Sequence, residues 1–135
     1  MRLLDYLIID IRPSFRPAER FGLAPVSEDG AGHAQYLLKY ECNTGESSQE
    51  RLEGQVHLSQ AQAEALSALC AKIKIGLVPY DVIMGLDGTT TKVTFVQGMN
   101  QIQVKWWEDA PKPWKPVEKL VEMLRQIVEE AEALV

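Results

Sequence analysis

The sequence predicts an α+β fold in which about five strands form a mainly antiparallel sheet and two amphipathic helices pack on one face. Short alternating segments follow one another with hairpin-length links, which favours antiparallel pairing. Two further segments carry apolar residues at spacings of three and four, as helices with one buried side do. The length of 135 residues is that of one domain, so we expect a single globular domain over residues 1–135.

The first strand is predicted at residues 3–11, a short apolar run that is rich in Ile and Leu. Apolar side chains fall on both of its faces, which indicates a central position in the sheet. Residues 12–33 contain three prolines and three glycines and show no sustained period. We therefore expect a long connection there, and a connection of that length usually has a function or is mobile.

The middle of the chain predicts a hairpin followed by a helix. Residues 34–43 and 50–58 alternate between apolar and polar side chains, as half-buried strands do, with a loop at 43–48. Gly54 falls on the inward side of the second strand, which indicates a bulge or close packing. Ser59 predicts the start of the helix, because a serine hydroxyl can accept a hydrogen bond from an amide of the first turn.

The last third of the chain predicts a second hairpin and a long helix. Its strands are expected at residues 89–97 and 100–109, with a turn near Gly98. Trp106 and Trp107 are adjacent and must point to opposite faces of their strand. From Pro116 onward, apolar residues recur at spacings of three and four over about five turns, which predicts an amphipathic helix.

Composition and motifs exclude several classes of function. A net charge of -5 disfavours nucleic acid as a partner, and no apolar run approaches the ~20 residues of a membrane span. No spacing typical of a metal site, a phosphate loop or a catalytic triad occurs, so we predict no metal, no cofactor and no catalytic residue. The presence of only two cysteines, Cys42 and Cys70, favours a reducing, cytoplasmic location. We expect both to be small buried side chains, and a disulfide between them is the alternative.

Two apolar segments are candidates for an interface. Residues 75–86 surround Pro79 and include Tyr80 and Met84. If this segment is exposed, its apolar surface exceeds what a monomer tolerates and implies a homodimer; if it is buried, it belongs to the core. Trp107 and Trp114 lie in a proline-rich segment, where they either contact a partner or pack beneath the connection.

Arg12, Arg16 and Arg20 form a local basic cluster in a chain that is acidic overall. Guanidinium groups suit the two-pronged recognition of carboxylates and phosphates, so these three residues are the candidate site for a small anionic ligand. The competing interpretation is that they pair with surface carboxylates, as exposed charges usually do.

The leading hypothesis is a non-enzymatic cytoplasmic interaction or binding module that forms a homodimer or binds another protein. The alternative is a protein that binds a small anionic ligand, or an enzyme without a recognised motif, with its site under the 12–33 connection. Residues 87–126 combine a turn, a hairpin, a Trp–Pro connection and a helix. This segment resembles the C-terminal half of small bacterial domains, some of them immunity-type proteins, and the resemblance assigns no functional residue.

Overall fold

The computed structural model of the protein describes residues 5–28, 34–43, 51–76 and 88–133. An α+β fold with an antiparallel sheet is confirmed, and the sheet has six strands rather than the expected five. The elements in chain order are β1 (Tyr6–Pro13), β2 (Glu19–Glu28), β3 (Ala34–Asn43), β4 (Arg51–His57), α1 (Gln60–Ala71), β5 (Thr89–Gln97), β6 (Asn100–Trp107) and α2 (Lys115–Ala133).

The strands are arranged in the order β4-β3-β2-β1-β5-β6, and every neighbouring pair is antiparallel. The first four strands form a meander. The chain then passes through α1 and returns as β5 on the free side of β1. β1 is therefore an inner strand, as its apolar residues on both faces predict.

The additional strand is β2, so the expected structureless connection over residues 12–33 was wrong at Glu19–Glu28. Phe21 and Leu23 alternate inward and are only 2% exposed. Gly22 and Pro25 interrupt that pattern in the sequence. The register between β2 and β3 shifts between Pro25 and Ser27, where a proline without an N–H group disturbs the ladder least.

One face of the sheet, called here the inner face, carries the core. Its buried residues alternate along the strands with exposed or half-buried ones; they include Leu7, Ile9, Ile11, Phe21, Leu23, Leu38, Val93, Val104 and Trp106. α2 lies against this face through Val117, Leu120, Val121 and Leu124, which are buried at helical spacing. α1 packs against α2 and β3 with Leu66 buried.

α1 begins where the sequence predicts, and α2 begins at Lys115, one residue before the predicted Pro116. Ser59 caps α1: its hydroxyl accepts a hydrogen bond from the Gln62 amide at 3.1 Å, and the Gln62 side chain accepts one from the Ser59 amide at 2.9 Å. This reciprocal arrangement satisfies two amides that a helix end leaves without partners. Neither helix in the described part of the chain is long and apolar enough to cross a membrane.

Candidate functional site

The second face of the sheet, called here the open face, lies opposite α2. Strand residues alternate between the two faces, so the open face receives every second side chain. Within the described residues no helix covers it, and most of its side chains are exposed or half-buried. From the two central strands it receives Tyr6, Ile8, Asp10, Arg12, Arg20, Gly22 and Ala24.

A row of six charged residues, called here the charge row, crosses the open face, with one residue from each strand. Register partners in the five strand pairs place its members side by side. From β4 to β6 they are Glu53, Glu41, Arg20, Asp10, Lys92 and Lys105. The β4 end of the row is acidic and the β6 end is basic, while the formal charges of the whole row cancel.

Asp10 is the anchor of the charge row. Its carboxylate lies 3.7 Å from Nε of Arg20 and 3.9 Å from Nζ of Lys92, and its side chain is only 17% exposed. Glu41 lies 3.3 Å from Nη2 of Arg51, which also donates a hydrogen bond to the Ala18 carbonyl. The centre of the row is therefore held in place by ion pairs. The outermost members have no such partner in the described part of the chain.

A solvent-open depression of about 530 Å³ lies on the acidic half of the open face. Glu41 and Glu53 contribute its carboxylates, and Arg20 and Lys39 contribute its cations. Gly22 forms part of its lining, beneath the Tyr6 phenol: a Cβ atom at Gly22 would lie 3.0 Å from the Tyr6 hydroxyl. The depression is thus polar, and its lining carries equal numbers of formal positive and negative charges.

One end of the open face is apolar, called here the apolar end. Leu37 is the register partner of Ala24, and Val96 is the register partner of Tyr6. Leu37, Ala24 and Val96 are half-buried, and Tyr6 is 39% exposed. An exposed tyrosine beside aliphatic side chains is typical of the central part of a protein interface.

The structure brings two of the three candidate arginines together. Arg12 and Arg20 both lie on the open face, because Arg12 follows Asp10 by two residues along β1 and Asp10 is the register partner of Arg20. Arg16 lies in the turn between β1 and β2. Since Arg20 is paired with Asp10, the competing interpretation of carboxylate pairing holds for that residue. Binding of an anion by these arginines stays a prediction.

The tryptophans are distributed as their adjacency predicts. Trp106 is buried on the inner face, and Trp107 is half-buried on the open face, where its indole lies against Gly88. Trp114 packs partly buried against the core and donates a hydrogen bond from its indole to the Gly76 carbonyl at 3.2 Å. Contact of Trp107 and Trp114 with a partner stays a prediction.

Two predicted interface residues, Tyr80 and Met84, lie outside the described residues, which end at Gly76 and resume at Gly88. Of the apolar segment 75–86, only its first residues are described. Ile75 is half-buried and packs against the core. The exposure of the rest of the segment therefore stays a prediction.

The nucleophilic side chains near the core are held in their protonated forms. Tyr40 donates a hydrogen bond to the Glu132 carboxylate, and this bond together with burial raises the pKa of Tyr40 to about 12. Burial raises the pKa of the Cys42 thiol and raises the pKa of Cys70 to about 11. Both cysteines are free. Because the thiolate is the reactive form, neither thiol is activated as a nucleophile.

The described residues offer no group of three or more His, Cys, Asp or Glu side chains that could hold a metal ion. His57 is exposed at the edge of the open face.

Comparison with protein-family models and with curated proteins found no match. The chemistry of the open face is therefore what indicates the function.

The charge row is the feature that sequence analysis missed. Its members are spread from Asp10 to Lys105, and only the register of five strand pairs brings them into one line. The sequence signal that was available is weaker: Glu41, Glu53, Lys92 and Lys105 occupy outward positions in alternating segments, whereas Arg20 falls in the stretch that was expected to be a connection. Without β2, the row has no Arg20 and does not cross the sheet.

Proposed function

We propose that this protein is a non-enzymatic cytoplasmic interaction module that binds another protein chain through the open face of its sheet. The observation that carries the proposal is the composition of that face. It combines the half-buried apolar end with a row of charges on paired strands. Protein interfaces join an apolar contact region to a polar surround in this way.

The position of these groups on strands favours recognition of a large partner. A six-stranded sheet holds the side chains at fixed spacings, with neighbouring strands about 4.8 Å apart. The resulting surface is broad, and the depression on its acidic half is open to solvent. Small ligands are usually enclosed by concave, mostly apolar pockets, whereas proteins bind across such broad surfaces.

The chemistry of the chain supports a binding role over a catalytic one. The Tyr40 and Cys42 side chains face the inner side of the sheet, and both have raised pKa values. Enzymes usually shift such groups the other way, toward the working pH, to activate them. On the open face, the carboxylates of Asp10 and Glu41 are paired with cations, and Glu53 is exposed.

The alternative of a small anionic ligand at Arg12, Arg16 and Arg20 has less support. Asp10 already neutralises Arg20, and the depression that Arg20 lines contains two carboxylates. An anion placed there would meet as many negative as positive formal charges. A protein surface that carries both signs suits this arrangement better.

Site-specific photocrosslinking tests the proposal. A benzophenone amino acid is placed at Gln55 or Gln101, which are exposed on opposite edges of the open face. Matched control proteins carry it at Glu122 or Glu129 on the exposed side of α2. After irradiation of cells that produce each variant, we expect protein adducts from the open-face positions and few from α2.

The gel pattern of these four variants decides the outcome. Discrete adducts from Gln55 and Gln101 that are absent from the α2 positions support the proposal, whatever the identity of the adduct. Adducts confined to the α2 positions, or none from the open face, contradict it. The mass of each adduct also shows whether the captured chain is a second copy or another protein.

A further inference from the structure

We infer that the partner of the open face is a second copy of this chain, bound face to face about a two-fold axis parallel to the strands. This inference rests on the proposed function, because it names the occupant of the same surface. It follows from the order of charges in the charge row. That order is unchanged when the row is reversed and every sign is inverted.

The symmetry operation makes the complementarity explicit. The two-fold axis lies between the two faces and runs along the strands. The rotation places the charge row of one copy opposite the charge row of the other, with the two rows running in opposite directions. The first strand of one copy then faces the last strand of the other. The rotation brings together three kinds of oppositely charged pair, each formed twice: Glu53 with Lys105, Glu41 with Lys92, and Arg20 with Asp10.

The other face-to-face two-fold gives the opposite result. An axis that lies between the faces but runs across the strands keeps each strand opposite itself. Glu53 would then face Glu53 of the second copy, and Lys105 would face Lys105. Like charges placed opposite one another disfavour an interface. The charge row therefore selects both the partner and the orientation.

The depression on the acidic half gives the lysines of the second copy a place to bind. In this dimer Lys92 and Lys105 of one copy face Glu41 and Glu53 of the other, and both glutamates line the 530 Å³ depression. Lys105 is exposed on the edge strand β6. Its long side chain can therefore enter the depression without displacing the backbone.

The centre of the interface lies where the two sheets align best. The axis passes between β2 and β1, beside the Arg20–Asp10 ion pair, so two such pairs come together as a four-charge cluster. Packed sheets cross at about 30°, so alignment worsens outward. The outermost members, Glu53 and Lys105, have long side chains that can span the added distance.

The apolar end adds burial to these charges. Under the same rotation, Leu37 of one copy faces Val96 of the other, and Ala24 faces Tyr6. Paired charges alone gain little because their desolvation offsets their attraction. Apolar contact beside them stabilises the dimer, because it removes nonpolar surface from water.

Charge reversal tests the inference. One variant carries Lys92→Glu and Lys105→Glu, and a second carries Glu41→Lys and Glu53→Lys. Each variant places like charges opposite one another in its own dimer. Sedimentation equilibrium should show that the wild type dimerises and that the dissociation constant of each variant is at least about tenfold higher.

Mixing the two variants is the decisive step. The acidic row of the first complements the basic row of the second, so the equimolar mixture should recover a heterodimer of near wild-type affinity. Lys92 contacts Asp10 within the chain, so its replacement also removes an ion pair of the monomer. The single variants Lys105→Glu and Glu53→Lys repeat the test without removing any ion pair among the described residues. The matched control for the lysine variant carries Lys74→Glu and Lys119→Glu, and should dimerise like the wild type.

Three results would overturn the inference: a wild type that stays monomeric at high micromolar concentration, variants that dimerise as the wild type does, or a mixture that does not associate. Each of these results leaves the proposed function intact if the open-face photocrosslinks capture a different protein. The loss of those photocrosslinks contradicts both the homodimer and the proposed function. The two experiments therefore separate failure of the partner from failure of the surface.

Discussion

Gly54 shows how one residue on β4 determines the packing of the inner face. A Cβ atom at this position would lie 2.6 Å from the Tyr40 hydroxyl oxygen and 2.8 Å from Cζ of the same ring. The Tyr40 ring occupies the space that a side chain would need, and its hydroxyl is fixed by Glu132. The inward glycine predicted from the sequence is confirmed as a site of close packing.

We expect Gly54→Ala to lower the free energy of unfolding by about 1–2 kcal/mol, since the added methyl group must displace the Tyr40 ring. Gly76→Ala is the matched control: no atom lies within 4 Å of its Cβ position, so the change should stay within about 0.5 kcal/mol. Urea unfolding followed by tryptophan fluorescence measures both. Equal stability of the two variants would contradict the packing described for Tyr40.

At the scale of elements, Glu118 joins the connection after β6 to the first turn of α2. Its carboxylate accepts a hydrogen bond from the Ala110 amide at 2.7 Å and lies 3.0 Å from Nζ of Lys115. Partial burial raises the pKa of Glu118, but these two contacts outweigh it and hold the pKa below its usual value of 4.5. The ionised carboxylate therefore stabilises the folded state.

The sign of this pKa shift gives a pH-dependent prediction. The contribution of Glu118 is fully present above pH 4.5 and is lost as the pH falls through its lower folded-state pKa. We expect Glu118→Gln to cost about 1 kcal/mol at pH 7 and less at pH 3. Urea unfolding at both values checks this, with the exposed Glu122→Gln as control. A cost that is larger at pH 3 would show that the carboxylate is not the stabilising form.

The elements differ in how far their sequences predict them. α2 was predicted well, because its buried residues from Val117 to Val128 repeat at helical spacing without interruption. β2 was missed because Gly22 and Pro25 outweighed the two inward residues Phe21 and Leu23. Tertiary pairing on both sides stabilises β2 despite these residues, and such pairing is invisible to a local pattern.

At the scale of the whole molecule, the fold separates two tasks between the faces of one sheet. The inner face binds the helices through apolar side chains, and the open face presents the charge row and the apolar end. The composition alone, with its net charge of -5, conceals this division. The charge row could not be predicted from the sequence because its order depends on register across the whole sheet.

A zero-length crosslink can show whether two open faces meet about an axis parallel to the strands. A carbodiimide joins a carboxylate to an amine without a spacer. Within one chain, Glu53 and Lys105 lie on opposite edge strands, five spacings or about 24 Å apart, which is too far for such a bond. In the dimer they face each other.

The measurement is mass spectrometry of a crosslinked equimolar mixture of ¹⁴N and ¹⁵N protein. The ion pair between Lys115 and Glu118, 3.0 Å apart in one chain, is the internal control and should give crosslinks of one isotope only. We predict a Glu53–Lys105 crosslink that joins a ¹⁴N peptide to a ¹⁵N peptide. Its absence from samples that contain the control crosslink would show that the open faces do not meet in this way.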